Sequence, residues 1–303
     1  METNCFSHLL PNLFIGLSKG AYQLRPYSKE FKQLGYRVFK FEPFFPISAG
    51  QKTNPDMVII SERLGNTVMI EWTEVNSVRE DKREQLHRYS KVTKRDLTNV
   101  LAIPPVAVET FDVCVIISPE AVDSFEGFFK KSNLQFPLLK FGEMKDGFYL
   151  MKVLYEFEEN QTNTFFSRPM NLSRIPRRYL PFALDEILHR QLVTHIVRHL
   201  LSLVRKETKE FTIDEFCSGY VPVWSLVDIR KQGEVKRVTK EVLVKLLSKP
   251  IGKELLKRLK QQPPTWEIID EFDRRRSMRL IGKSLQEFIA EVKGKEFQLE
   301  LDY

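Results

Sequence analysis

The stretch Asn54-Pro-Asp-Met-Val-Ile-Ile-Ser-Glu-Arg-Leu-Gly-Asn-Thr-Val-Met-Ile-Glu-Trp-Thr73 decides the fold. Residues 57–61 and 67–72 are short apolar runs rich in β-branched side chains, and Gly65-Asn66 between them is a turn signal, so the stretch reads as a β-hairpin. Asp56 opens the first strand directly after Pro55, and Glu71 lies near the end of the second. Antiparallel pairing would therefore bring two carboxylates, 15 residues apart in sequence, to the same end of the hairpin. A hard cation such as Mg²⁺ suits that arrangement, because it takes oxygen ligands from one or two carboxylates together with substrate phosphate. Spacing alone leaves open a second reading, in which both acids are solvated strand caps.

Working outward, Ser28–Leu34 reads as a helix stopped by Gly35, followed by a strand over Tyr36–Glu42, which places Glu30 on a helix facing the hairpin. After the hairpin, Ser77–Val92 reads as a polar helix on which Lys82, Gln85 and Tyr89 fall at i, i+3 and i+7 and share one face. Together these pieces resemble the PD-(D/E)xK, or restriction-endonuclease-like, nuclease superfamily over roughly residues 25–120. The resemblance rests on Glu30, Pro55-Asp56, Glu71 and the trailing Gln85-Leu-His-Arg-Tyr89, which is similar to the QxxxY motif of RecB-type members.

What the resemblance implies is a Mg²⁺-dependent deoxyribonuclease, with Mn²⁺ able to substitute. Asp56 and Glu71, with the Trp72 carbonyl, would hold the metal, and Glu30 would complete its shell. Gln85 and Tyr89 would position the DNA strand. The chain departs from the family at Thr73, where (D/E)xK has its lysine, and Lys82 on the Gln85/Tyr89 face is the candidate substitute. The departure keeps a second reading open, a catalytically degenerate nuclease fold serving DNA binding or assembly. A third is a winged-helix regulator with an unrelated α/β sensor domain.

The chain has 303 residues, 42% hydrophobic and 12% aromatic, which is enough for a sizeable core and suggests two domains. It lacks an uncharged apolar run long enough for a transmembrane helix, and its N-terminus lacks the basic start and apolar run of a signal peptide, so a cytoplasmic location is expected. Cys5, Cys114 and Cys217 are far apart, which argues against a disulfide framework and against a zinc ribbon.

The expected fold class is α/β: a restriction-endonuclease-like mixed sheet flanked by helices over residues 1–158, a linker over 159–180, and a mostly α-helical domain over 181–303. Within the first domain, residues 1–24 read as a short helix or hook and Asp96–Pro105 as a connecting segment. Phe111–Ser118 reads as a buried strand, Pro119–Lys131 as a helix and Phe148–Phe157 as a closing strand. Residues 1–170 carry 21 Lys and Arg against 21 Asp and Glu, whereas 171–303 carry 26 against 19, the whole net charge of +7. A basic appended domain is the footprint of phosphate binding, with an ordinary solvated basic face as its competitor.

In that part Pro181–Lys206 reads as a long amphipathic helix, and its His195/His199 pair lacks the companions of a metal site. Phe211–Lys249 is compatible with a winged-helix or helix-turn-helix reader in which Lys231, Lys236, Arg237, Lys240 and Lys245 would meet DNA. Trp266–Lys293 reads as one or two helices, and Phe297–Leu301 as a further strand. The architecture also resembles the TnsA-type transposon endonuclease subunits, which implies partner subunits of a larger nuclease or transposition complex, with a dimer also compatible. Restriction, defence and repair are further settings compatible with such a nuclease.

Overall fold

The computed structural model describes residues 5–47, 52–184, 187–259, 264–269 and 274–294, with the backbone alone considered over 274–282. The chain divides into two compact units, one made of residues 4–179 with 226–228, the other of 180–225 and the chain from 229 onward.

The first unit begins with helices α1 (Phe6–Lys19) and α2 (Tyr27–Gln33), strand β1 (Tyr36–Phe41), and a small hairpin of β2 (Phe45–Pro46) and β3 (Lys52–Thr53). Strands β4 (Met57–Ser61) and β5 (Asn66–Thr73) follow, then helices α3 (Glu80–Tyr89) and α4 (Lys94–Leu101). The unit continues through β6 (Thr110–Ile117), α5 (Val122–Ser132), β7 (Leu138–Met144), β8 (Gly147–Leu154), α6 (Asn160–Ser167) and β9 (Met170–Leu172). Its sheet has seven strands in the order β1-β4-β5-β6-β7-β8-β9. The β5-β6 and β6-β7 pairs are parallel and the other neighbours antiparallel. Parallel neighbours need long crossovers, and α3 with α4, then α5, supply them.

The hairpin at residues 57–72 forms as its sequence indicates, with Met57 opposite Ile70 and Ser61 opposite Asn66. Gly65 takes a left-handed φ of 61° at the turn, and a Cβ there would lie 2.9 Å from the Val106 carbonyl oxygen, so both backbone conformation and space call for glycine. Every residue of β4 and β5 is buried. Both strands lie inside the sheet with helices on the two faces, which is why their sequence runs apolar instead of alternating. Met69, Val113, Val115 and Ile117 pack on one face with Leu86, Tyr89, Leu97, Leu101, Phe125 and Phe129. An aromatic cluster of Phe14, Phe31, Tyr36, Phe165 and Phe166 joins α1, α2, β1 and α6.

Two segments differ from the sequence reading. Residues 94–101, read as part of a connection, form α4, whose start is fixed by a capping box between Thr93 and Asp96. The supposed linker over 159–180 contributes α6 and the edge strand β9, which pairs with β8. Its Asn and Pro content misled because Phe165, Phe166, Met170 and Leu172 are all buried. The helix read within residues 1–24 is α1, buried on nearly every side over residues 6–17, and in it the Asn12 side chain donates to the His8 carbonyl and accepts the Tyr179 N–H at 3.0 Å.

The second unit starts with α7 (His189–Arg205), eight residues later than the helix expected from Pro181. It continues with β10 (Glu210–Thr212), α8 (Ile213–Tyr220), α9 (Ile229–Leu247), α10 (Pro250–Leu255), β11 (Leu256–Arg258), β12 (Thr265–Ile268) and α11 (Arg274–Lys293). The three strands form an antiparallel sheet in the order β10-β12-β11. The order is thus helix, strand, three helices and a returning strand pair whose second member is central in the sheet, followed by α11, which packs on α7. The Trp266 region, read as helical, is strand β12, because Trp266 and Ile268 alternate inward against Phe211 and Leu256. The expected strand over 297–301 lies outside the described residues. No described helix is long and apolar enough to cross a membrane.

Candidate functional site

The hairpin register places Asp56, just before β4, beside the C-terminal half of β5. The backbone N–H of Trp72 donates to Asp56 Oδ2 at 2.7 Å, which fixes the carboxyl against the strand that carries Glu71. Side chains alternate along β5, so Glu71 shares a face with Met69 and Thr73, the face that α3 covers. Glu71 is 3% exposed, and both of its oxygens are taken. The Lys82 ammonium ion-pairs with Oε1, and Tyr89 Oη lies 2.5 Å from Oε2. Gln85 donates to Tyr89 Oη at 2.8 Å, and the Asn54 carbonyl is a second acceptor for the Tyr89 hydroxyl at 2.9 Å. Lys82, Gln85 and Tyr89 thus act as one face of α3 laid over one carboxylate.

The electrostatics follow from that packing. Burial, reinforced by the Glu71 charge, pushes the Asp56 carboxyl well above the usual carboxylate range, while Lys82 and the Trp72 N–H oppose the shift. Burial next to Glu71 and Asp56 likewise raises the Tyr89 phenol. Two carboxylates and one ammonium in low dielectric leave excess negative charge when Asp56 is ionised, a setting that attracts a cation or holds a proton. Thr73 stands 8% exposed at the end of β5, opposite Ile117 of β6.

Glu30 is not part of this group. Helix α2 leads into β1 at Tyr36, which pairs with Ser61 at the far end of β4 from Asp56, and Glu30 ion-pairs with Arg168. Sequence order suggested a facing helix, but the strand after α2 runs antiparallel to β4 and leaves α2 at the opposite edge.

The acid delivered to the Asp56 end is Glu42, at the other end of β1. Its backbone takes a left-handed φ of 47°, its N–H donates to the Asp56 carbonyl at 3.0 Å, and its charge adds to the upward push on Asp56. A readable signal existed: an acid directly after a strand and before Pro43. Among the described residues no three His, Cys, Asp or Glu side chains converge as a metal-binding group.

In the second unit the proposed DNA contacts are largely engaged within the fold. Lys236 ion-pairs with Asp214 and lies over the Trp224 ring, Arg237 pairs with Glu241 at 2.9 Å, and Lys231 pairs with Glu234 at 3.1 Å. Lys245 lies 3.9 Å from Glu291. Lys240 instead lines a cleft with Arg258 and Trp266. His199 packs edge-on against Phe216, and burial lowers its pKa, in keeping with a core histidine.

The fold and the cluster define an α/β domain with a carboxylate pair, Glu71 buried and Asp56 half-buried, faced by lysine and tyrosine and joined in sequence to a mostly helical unit with a small antiparallel sheet. Residues 7–180 match the MJECL32 domain, more than half of the chain, and the chain belongs to that family. Residues 185–303 match a domain of unknown function (DUF8601), so the two matches follow the two units. Neither the curated proteins nor the solved structures gave a match.

Proposed function

We propose that the first unit carries a Mg²⁺-dependent DNA endonuclease site and that the basic second unit holds the DNA backbone. The observation behind this reading is the convergence of Asp56 and Glu71 at one strand end, with Lys82 and Tyr89 of α3 on Glu71. The donor set fits the ion: the two side chains offer only oxygen, and they carry more negative charge than Lys82 offsets. Asp56 and Glu71 would hold it, with water and substrate oxygens completing the shell. When bound, Mg²⁺ or Mn²⁺ supplies charge that polarises the scissile phosphate and acidifies the attacking water.

The side chains supply the rest. Lys82, able to leave Glu71 for a phosphate oxygen or the attacking water, takes the role of the lysine that Thr73 lacks. Asp56, whose proton affinity is raised by burial and the Glu71 charge in the metal-free site, gives up its proton to take the ion. Gln85 and Tyr89 fix Glu71 and mark the edge along which the strand lies. The three cysteines are all free thiols, which accords with a reducing cytoplasmic setting.

Cleavage of supercoiled and linear DNA with Mg²⁺ or Mn²⁺ tests the reading, comparing the wild type with Asp56→Asn and Glu71→Gln. Nicking or linearisation that both substitutions abolish is the expected result. A wild type that binds DNA in a salt-sensitive way but cuts with neither metal overturns it. That outcome favours a degenerate nuclease fold acting in DNA binding or assembly, in which the Lys82–Glu71 pair is only structural.

A further inference from the structure

The second unit contains a cleft of about 300 Å³ between the start of α8, the middle of α9 and the β11/β12 strand pair. Thr212, Ile213, Asp214, Lys240, Arg258, Pro264 and Trp266 line it. Two observations give it chemical character. First, Arg258 pairs directly across from Trp266, so both stand on the sheet face that also carries the buried Phe211 and Leu256. The arginine therefore overhangs the open end of an apolar floor. Second, the charges around the cleft are unevenly satisfied. Asp214 is neutralised by Lys236, and Lys231, Arg237 and Lys245 on α9 each reach a carboxylate. Among the described residues neither Lys240 nor Arg258 has a carboxylate within ion-pair distance, and both are exposed. Lys240 of α9 and Arg258 of β11 thus line one cleft from two different elements with their aliphatic stems, beside Ile213, Pro264 and an indole, and their charged ends are left to its rim.

We propose that this cleft binds a single nucleotide unit, with its phosphate between Lys240 and Arg258 and its base or sugar against the apolar floor. The guanidinium fork matches phosphate geometry, and the lysine adds a point charge from the other wall. A volume near the lower end of small-molecule sites admits one nucleotide and no longer ligand. The same chemistry is presented by a free nucleoside monophosphate and by the 5′-phosphorylated end of a nucleic-acid strand. The inference does not depend on the nuclease reading, because it concerns the other unit and involves no cleavage.

Titration calorimetry of the full chain with adenosine 5′-monophosphate tests it, with adenosine and inorganic phosphate as partial ligands. Saturable one-to-one binding is expected, with each partial ligand at least about tenfold weaker, as loss of a charge-assisted contact or of apolar contact implies. Lys240→Ala with Arg258→Ala should weaken binding by about tenfold or more for the pair. The charge-matched pair Lys253→Ala with Lys283→Ala, both exposed and away from the cleft lining, should leave it unchanged. Competition with short single strands then separates the sources. Displacement by a 5′-phosphorylated strand but not by its 5′-hydroxyl form supports a strand end, and no displacement by either supports a free nucleotide. Absence of binding, equal weakening by both double variants, or phosphate binding as tight as the nucleotide overturns the proposal. All four substitutions replace exposed lysines or arginine, and circular dichroism confirms that the variants fold.

Discussion

The two ends of strand β5 each hold an acid cluster packed into the fold, and they differ in how the charge is compensated. At one end Asp112 of β6, 5% exposed, is surrounded by donors: the Glu158 N–H at 3.0 Å and the Asn66 amide at 3.4 Å, with Tyr36 and Thr110 completing the Asn66 shell. Burial still lifts Asp112 to about 6, but no lysine or arginine among the described residues pairs with it. At the other end Asp56 and Glu71 crowd each other, and their compensation comes from the Lys82 side chain, which is 17% exposed and reaches in from α3. Backbone and amide donors hold a carboxyl as part of the framework and cannot leave without unfolding it. A side-chain ammonium and a phenol on one helix face are replaceable partners, as a site that exchanges cations and substrate requires.

The largest expected effect separates the ends by activity. If the nuclease reading holds, Asp56→Asn or Glu71→Gln should lower DNA cleavage by about 10²–10³-fold or more, the usual loss when a group acting on developing charge is removed. Asp112→Asn should leave cleavage unchanged, and a comparable loss there would erase the distinction. Stability gives the second contrast. Lys82→Met leaves the Glu71 carboxylate buried without its cation and should cost about 3 kcal/mol in denaturant unfolding, the scale for breaking one partner of a buried pair. The double variant Lys82→Met with Glu71→Gln should recover most of that loss while remaining inactive.

The third contrast is pH. Because folding raises the Asp112 pKa from 3.8 to about 6, the folded state binds that proton more tightly than the unfolded chain. Its contribution is therefore fully present below the unfolded value and is lost as pH rises through about 6, by roughly 3 kcal/mol at most. Asp112→Asn should flatten this fall in a series of unfolding curves. Unaltered pH dependence would show that the donors around Asp112 do not hold a titrating carboxyl.

Much of the Asp56/Glu71 end was legible in sequence because its signals are local. An apolar run, a Gly-Asn turn and an acid at each outer end define the hairpin, and Lys82, Gln85 and Tyr89 at helical spacing define the face that covers Glu71. What escaped depends on tertiary placement. Glu30 and Glu42 flank the same short strand, and only the antiparallel pairing of β1 with β4 decides that Glu42 is delivered beside Asp56. The Asp112 cluster was invisible for a related reason: Tyr36, Asn66, Asp112 and Thr162 come from four separate elements and share no spacing. Helix α4 had a legible start in its Thr93/Asp96 capping box, but its polar surface concealed the two buried leucines, Leu97 and Leu101. The strands of the second unit are three or four residues each, too short for alternation to stand out.

The smallest effect is the most discriminating, because each end has its own buried tyrosine. Tyr36 Oη contacts the Asn66 carbonyl oxygen and the Thr162 hydroxyl, and Tyr89 Oη contacts Glu71, Asn54 and Gln85. Replacing either by Phe removes one hydroxyl from a buried network and should cost about 1–2 kcal/mol, so unfolding alone would not tell them apart. Their consequences for charge differ. Tyr36 bonds neutral groups, so Tyr36→Phe should leave both metal affinity and the rate of cleavage in place. Tyr89 bonds one oxygen of a buried carboxylate, and its removal leaves Lys82 as the remaining side-chain partner of Glu71. If the nuclease reading holds, Tyr89→Phe should therefore weaken Mn²⁺ binding and slow cleavage, because one Glu71 oxygen loses the donor that fixes it. If the two phenylalanine variants give the same cleavage rate and the same Mn²⁺ titration, Tyr89 is framework like Tyr36, and the site reduces to the acids and Lys82.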